Sequence, residues 1–267
     1  MPVILLTNDD GVQALGLQTL RQALQGIGEV VVVAPDRERS AASHAITLHH
    51  PLRLVDVEPS VYALNGTPAD CVIIALNKVF QRTQPDLIIS GINHGGNMGD
   101  DVLYSGTVAG AREGAVRRIP SLAISLVLSR ARQNDFAGAA AFMARLAEQV
   151  LEPGLPAGVF LSVNIPGAGY TGVRVTRQGS QFAENVITEN QDPRGRTYYW
   201  IGQEKIHWEE DPDSDYYAVS HGMVSLTPLH TNQTQFTAVR RLGRWKRALE
   251  ARLSLNGAPP ALGRAKR

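Results

Sequence analysis

A regular alternation constrains the fold of this chain more than any other feature. Short apolar runs are each followed by a longer segment of helical period, and the pattern repeats from the first residues to Pro166. Consecutive βαβ units produce this pattern, because parallel strands need a crossover long enough to return the chain to the same end of the sheet. PVILLTN reads as the first strand and GLQTLRQALQGIG as the helix after it, with Leu17, Leu20 and Leu24 on one face. EVVVVAP is the next strand, and its run of valines suits burial on both faces. TPADCVIIALNKVF reads as a helix with Pro68 in its first turn, and PDLIISGIN as a central strand. GTVAGAREGAVR, SLAISLVL, DFAGAAAFMARLAEQVL and GVFLSVNIP then give helix, strand, helix and a last core strand.

After Pro166 the texture becomes polar, aromatic and turn-rich. VRVTRQG, RTYYWIGQEKIHWEE and YYAVSHGMVSLTPL read as β-hairpins outside the parallel core, forming an arm between subunits. RWKRALEARLSL is a basic, solvated helix and NGAPPALGRAKR a frayed tail. The expected architecture is therefore α/β: a Rossmann-like, mostly parallel sheet flanked by helices, with C-terminal β-hairpin extensions. Residues 1–170 form the core, 171–242 the hairpin arm, closing strands and oligomerisation region, and 243–267 the helix and tail.

With 43% apolar residues the chain can bury a full core without disulfides or a structural metal. Its 26 Lys and Arg balance 25 Asp and Glu, so it has no bulk attraction to a nucleic-acid duplex or an acidic membrane. No stretch approaches the roughly 20 apolar residues of a membrane span. The only cysteine, Cys71, lies inside the apolar run CVIIAL and reads as a small core residue; with one cysteine, a cytoplasmic location is expected.

Ligands of open parallel sheets bind beyond the carboxyl ends of the strands. Here those ends are unusually polar: Thr7-Asn8-Asp9-Asp10-Gly11, then Pro35 to Ser40, then Ser90 to Asn97. Adjacent aspartates in a partly desolvated crevice repel one another unless a cation sits beside them. Oxygen donors without a His or Cys cluster favour magnesium, manganese or calcium. Ser40 and Asn93, from two other strand ends, could complete such a shell. Taken alone, Asn-Asp-Asp-Gly reads equally well as a turn.

The glycine-rich loop SGINHGGNMGDDVLYSG leads into a helix near Ser105-Gly106-Thr107, where free backbone N–H groups favour an anion. Asn8, Asn97, Ser105, Gly106 and Thr107 are the expected phosphate contacts, with Ser105 as a simple helix cap the bland alternative. GVQALGLQ lacks the Lys-Ser/Thr ending of a P-loop, and no strand is followed by G-x-G-x-x-G. Asp9 and Asp10 are adjacent rather than two apart, so activated water is a better nucleophile candidate than a carboxylate. His44 and His94 lie near these loops without diagnostic spacing.

Together these segments resemble the SurE (survival protein E) family of nucleoside monophosphate phosphatases. The pieces ILLTNDDG, VVVAPDRERSAASHAITL, NGTPADCVIIAL, PDLIISGINHGGNMGDDVLYSGTVAGAREGA, LSVNIP, GRTYYWIG and VSLTPL occur in family order. The resemblance implies hydrolysis of nucleoside 5′- and 3′-monophosphates, with short polyphosphate as a further substrate of some members. It also implies one divalent metal per subunit, Mg2+ or Mn2+, on Asp9, Asp10, Ser40 and Asn93. Asp9, Asp10 and Asn97 carry the catalytic role in this reading. The resemblance further implies a homodimer or homotetramer with exchanged hairpins and C-terminal segments. His94 and Gly96 depart from the commonest family loop. Two rivals stand beside this reading: a nucleotide-binding module without catalysis, and a metal-dependent nucleotide-sugar transferase.

Overall fold

The computed structural model describes residues 1–128 and 135–253. The frayed tail expected over 256–267 lies outside them.

The first half follows the alternation. β1 (Val3–Thr7), α1 (Leu15–Leu24) and β2 (Glu29–Pro35) lead to two short strands, β3 (Leu54–Glu58) and β4 (Val61–Leu64). α2 (Pro68–Ile74), β5 (Leu87–His94), α3 (Gly106–Val116), β6 (Ser121–Val127), α4 (Phe136–Leu151) and β7 (Val159–Pro166) complete it. The later elements are β8 (Gly172–Val175), β9 (Gln181–Gln191), β10 (Thr197–Trp208), α5 (Asp215–Ser220), β11 (Met223–His230) and α6 (Phe236–Leu253).

Nine strands form one sheet in the order β3-β4-β2-β1-β5-β6-β7-β11-β8. From β4 to β7 the neighbours are parallel; β3 and β11 pair antiparallel with β4 and β7. Leu17, Leu20 and Leu24 of α1 are fully buried with Met143 and Ala147 of α4 in one cluster against the sheet. Each such Leu contributes about 1.5–3 kcal/mol on burial. Cys71 and Val72 of α2 belong to a second cluster that includes Leu5, Val31 and Val33. Thr67 caps α2 reciprocally with Asp70, and Pro68 occupies the first turn where its missing N–H is harmless. The helix expected through Phe80 instead widens after Ile74 into a π-helical turn, Ala75–Val79, closed by Phe80 N–H to Ala75 O at 2.9 Å.

The region after Pro166 differs from the expectation of hairpins alone. VRVTRQG supplies β8, which runs parallel to β11 at the sheet edge, and VSLTPL lies in β11, bonded to β7. β7 is therefore not the last core strand. YYAVS is helical, because Ser214 caps α5 by accepting from Tyr217 N–H. Among the described residues only β9 and β10 form a hairpin apart from the main sheet, and on it Tyr199, Trp200 and Ile201 are 61, 66 and 80% exposed.

Contacts divide the chain into one unit of Met1–Thr231 and a second that begins at Asn232. Within the second unit, α6 begins at Phe236 rather than at Arg244. Phe236, Val239, Leu242, Trp245, Leu249 and Leu253 recur along it at steps of three and four, and all are exposed. Among the described residues no helix is long and apolar enough to cross a membrane.

Candidate functional site

β1 is flanked by β2 on one side and β5 on the other, so the chain order reverses beside it. Such a switch point leaves a crevice beyond the carboxyl ends of the strands. A cleft of about 960 Å3 opens there, and Asp9, Asp10, Ser40, Asn93, Asn97 and Ser105 all line it. Residues from three strand ends and one helix start, far apart in sequence, thus converge as their positions at strand tips implied.

Asp9 is 5% exposed. Burial pushes its carboxyl above the ordinary range; a hydrogen bond from Thr107 opposes this, and the neighbouring Asp10 charge adds to it. Asp10 is likewise raised by burial and lowered by His94. Its Oδ2 is buried and accepts no hydrogen bond, and the same is true of Asn8 Oδ1. Unpartnered buried oxygens beside a second raised carboxyl form an electron-rich corner, the environment a hard cation relieves. Among the described residues no three His, Cys, Asp or Glu side chains cluster with metal-ligand spacing. The Asp9 and Asp10 carboxylates, the Ser40 hydroxyl and the Asn93 amide line the same cleft.

Asn93 stands just past an irregularity between Ser90 and Asn93 in the pairing of β5 with β6, and donates through Nδ2 to Gly95 O at 2.9 Å. Its carbonyl end is left for the cleft. Ser40 is exposed and donates to Glu38 Oε1 at 2.6 Å. Arg39 N–H donates to Asp9 O at 2.7 Å, tying the Ser40 loop to the tip of β1.

The start of α3 is organised differently from a simple phosphate cradle. Ser105 Oγ caps it, accepting from Val108 N–H at 3.0 Å. The Thr107 hydroxyl donates to Asp9 Oδ1, and the Thr107 backbone N–H also reaches Asp9. Thr107 is fully buried, so it acts first as the orienting partner of Asp9 rather than as an open phosphate contact. A Cβ at Gly106 would lie 2.9 Å from Asp9 Cβ and Oδ2, so only glycine lets the helix start approach the carboxylate. Asn8 is buried and donates to Gly11 O at 2.9 Å; it shapes the turn and does not line the cleft. Asn97 is held by paired bonds with Asn164, at 2.8 and 3.1 Å, and one of its amide hydrogens goes to Ser125 Oγ at 2.7 Å. The second hydrogen is left for a ligand.

His94 lines the cleft and packs its ring 4.6 Å from that of Phe136. His44 does not line it: its Nε2 sits 3.0 Å from Glu113 Oε2. Burial raises the Glu113 carboxyl, but the bonds from His44 and Arg117 outweigh this and leave it below the ordinary range. Sequence reasoning missed Glu38, Asp100, Asp101, Tyr104, Gln181 and Ile201 as lining residues. The first three were visible as acids in the quoted loops. Gln181 and Ile201 reach the cleft from the hairpin, which no local pattern signals.

The family model described as survival protein SurE matches residues 4–185. The chain is 49% identical over 245 residues to a protein of Geobacter metallireducens named 5′-nucleotidase SurE, covering 91% of this chain and 96% of that one. A protein of the same name from Anaeromyxobacter dehalogenans is 49% identical over 244 residues, with 91% and 95% covered. The crystal structure of the SurE protein from Aquifex aeolicus superposes with a TM-score of 0.81 at 38% identity, covering 92% of this chain and all of that one. With a family model matching residues 4–185 and relatives near half identity over 91% of its length, the chain belongs to the SurE family.

Proposed function

We propose that this chain is a cytoplasmic phosphatase that uses one divalent cation, Mg2+ or Mn2+, to hydrolyse nucleoside 5′- and 3′-monophosphates to nucleoside and inorganic phosphate. As its relatives are named, it is a 5′-nucleotidase. The observation that carries the metal dependence is Asp10 Oδ2, a buried oxygen without a partner beside the buried Asp9 carboxyl. Asp9, Asp10, Ser40 and Asn93 would hold the cation. When bound, it neutralises phosphoryl charge and acidifies water, as divalent ions do in hydrolases.

The chain's own residues supply the rest. Thr107 fixes the orientation of Asp9 from below. Ser105 and the Gly106 N–H at the start of α3 face the phosphoryl oxygens as charge develops, the Thr107 and Val108 N–H groups being taken by Asp9 and Ser105. Asn97, locked by Asn164 and Ser125, offers its free amide hydrogen to the same group. The buried Cys71 takes no part and suits a reducing compartment.

Glu38, Asp100 and Asp101 join Asp9 and Asp10 around the cleft, and no Lys or Arg lines it among the described residues. One divalent cation offsets only part of that charge, so a monoester phosphate is favoured and polyphosphate chains are poor substrates. The exposed aromatic hairpin supports self-association as a homodimer or homotetramer.

Phosphate release from AMP, measured without any sugar acceptor, tests the proposal. Activity in Mn2+, its loss in EDTA and its return on adding metal are expected. Nucleotide binding without phosphate release would favour a binding module instead, and release that needs a sugar acceptor would favour a transferase.

A further inference from the structure

Asp215, the first residue of α5, is 1% exposed and does not line the cleft. Its carboxylate nevertheless joins three separate stretches of backbone. Oδ2 accepts from Gly99 N–H at 3.0 Å, and Oδ1 accepts from Gly179 N–H at 3.0 Å and Tyr216 N–H at 2.8 Å. Gly99 opens a 3-10 turn, Gly99–Leu103, that carries Asp100 and Asp101 on the cleft wall and runs on to Ser105. Gly179 stands two residues before β9, so it is the entry to the hairpin that brings Gln181 and Ile201 to the same cleft.

Other contacts make the junction tight. Gln178 Nε2 donates to Gly99 O at 2.9 Å, and Gln181 Nε2 donates to Asp101 Oδ1 at 2.8 Å. Gly99 has φ +52°, and a Cβ there would stand 2.7 Å from Trp208 Cζ3. The Trp208 ring in turn stacks on Tyr216, next to Asp215, at 4.1 Å and 4°. Both walls of the cleft that do not come from strand tips are thus referred to one buried carboxylate.

We propose that Asp215 is a positioning residue for hydrolysis: by holding the Gly99 and Gly179 amides together it sets the Gly99–Leu103 turn and the hairpin entry in register, and with them the substrate-facing walls of the cleft. The inference rests on the nucleotidase reading. Asp215 touches neither the proposed metal ligands nor the phosphate, so its loss should leave metal binding intact while disturbing how the nucleotide is held.

Asp215→Asn keeps the shape but turns one acceptor into a donor facing an amide hydrogen. Steady-state hydrolysis of AMP at saturating Mn2+ should show KM raised about tenfold or more, with a smaller fall in kcat. The Kd for Mn2+, measured by calorimetry, should stay within about twofold. Gln178→Ala removes a bond to the same turn from an exposed side chain and should shift KM in the same direction by less. Thr227→Val loses bonds from the Thr227 hydroxyl to Thr176 and Ser225, at 2.8 and 3.1 Å, where β11 meets the end of β8. It serves as the control for lost stability alone and should lower Tm with KM unchanged.

An Asp215→Asn enzyme with wild-type KM overturns the inference. So does a KM rise matched by Thr227→Val at equal loss of Tm. If Asp215→Asn does not fold, Gln178→Ala decides: wild-type KM there overturns the inference and a raised KM supports it. Wild-type protein inert towards AMP would instead sink the nucleotidase reading, a result distinguishable from all of these.

Discussion

In the first half of the chain the apolar side chains of β1, β2 and β5 are buried almost without exception, while on the β9–β10 hairpin Tyr199, Trp200 and Ile201 are mostly exposed. The two regions are built from strands, yet they leave opposite surfaces for function. A strand covered on both faces can offer a ligand only its tip, and the tips of β1, β2 and β5 are where the carboxylates, hydroxyl and amide gather. A two-stranded ribbon has both faces open and too little buried surface to be stable by itself, so its aromatic residues call for a second surface.

The largest expected effect breaks the first region at its tip. Asp9→Asn should reduce kcat/KM for AMP on the order of 1000-fold, with the far-ultraviolet circular dichroism unchanged. Stability should move the other way in metal-free protein. Burial raises the Asp9 carboxyl on folding, so its favourable contribution is complete below the ordinary value of 3.8 and is lost as pH climbs through the raised value. Near neutral pH the metal-free wild type therefore bears the cost of a buried charge that Asp9→Asn does not. The variant should melt at the same temperature or higher at pH 7, and the difference should vanish below about pH 4. Mn2+ at a hundred times its Kd should then stabilise the wild type by about 2.7 kcal/mol and the variant by far less. Equal stabilisation of both would remove Asp9 from the metal site.

The same contrast explains what was legible in the sequence. ILLT and EVVVVAP end abruptly in polar residues, and an abrupt end to an apolar run marks a strand tip wherever the strand is fully buried. The place of Asp9, Asp10, Ser40 and Asn93 at strand tips around one crevice was therefore legible in the sequence. β3 was not, because Leu54–Glu58 is an exposed edge strand with no buried face to impose a pattern. β11 reads as part of a hairpin because YYAVSHGMVSLTPL is polar, aromatic and turn-rich, and nothing local says that its partner is β7. A helix start attracts anions, which is why the sequence puts Thr107 on phosphate; the carboxyl it meets here is that of Asp9, 98 residues away in sequence. The convergence of Gln181 and Asp215 on the Gly99 turn likewise depends on tertiary contacts that leave no periodic trace.

An intermediate effect is expected on the ribbon. Trp200→Asp should lower the solution mass measured by light scattering, since a central interface tryptophan is commonly worth about 2 kcal/mol or more, roughly a 30-fold change in association. The melting of the main sheet should scarcely change, because β9 and β10 pair only with each other. An unchanged mass at low micromolar protein would mean that the exposed aromatic residues serve the cleft alone.

The smallest effect belongs to the interior packed against β1 and β2. Cys71 on α2 is fully buried, and burial together with the neighbouring Asp70 charge pushes its thiol well above the ordinary range. Such a thiol is neither ionised nor reachable, so the folded protein should resist iodoacetamide until it unfolds. Cys71→Ala removes one sulfur from a packed cluster and should cost about 1–2 kcal/mol of stability, with kcat/KM for AMP within about twofold. A larger kinetic loss at unchanged Tm would show that the packing behind β1 reaches the strand tip. The division between an inert interior and a chemical edge would then have to be drawn closer to Asp9.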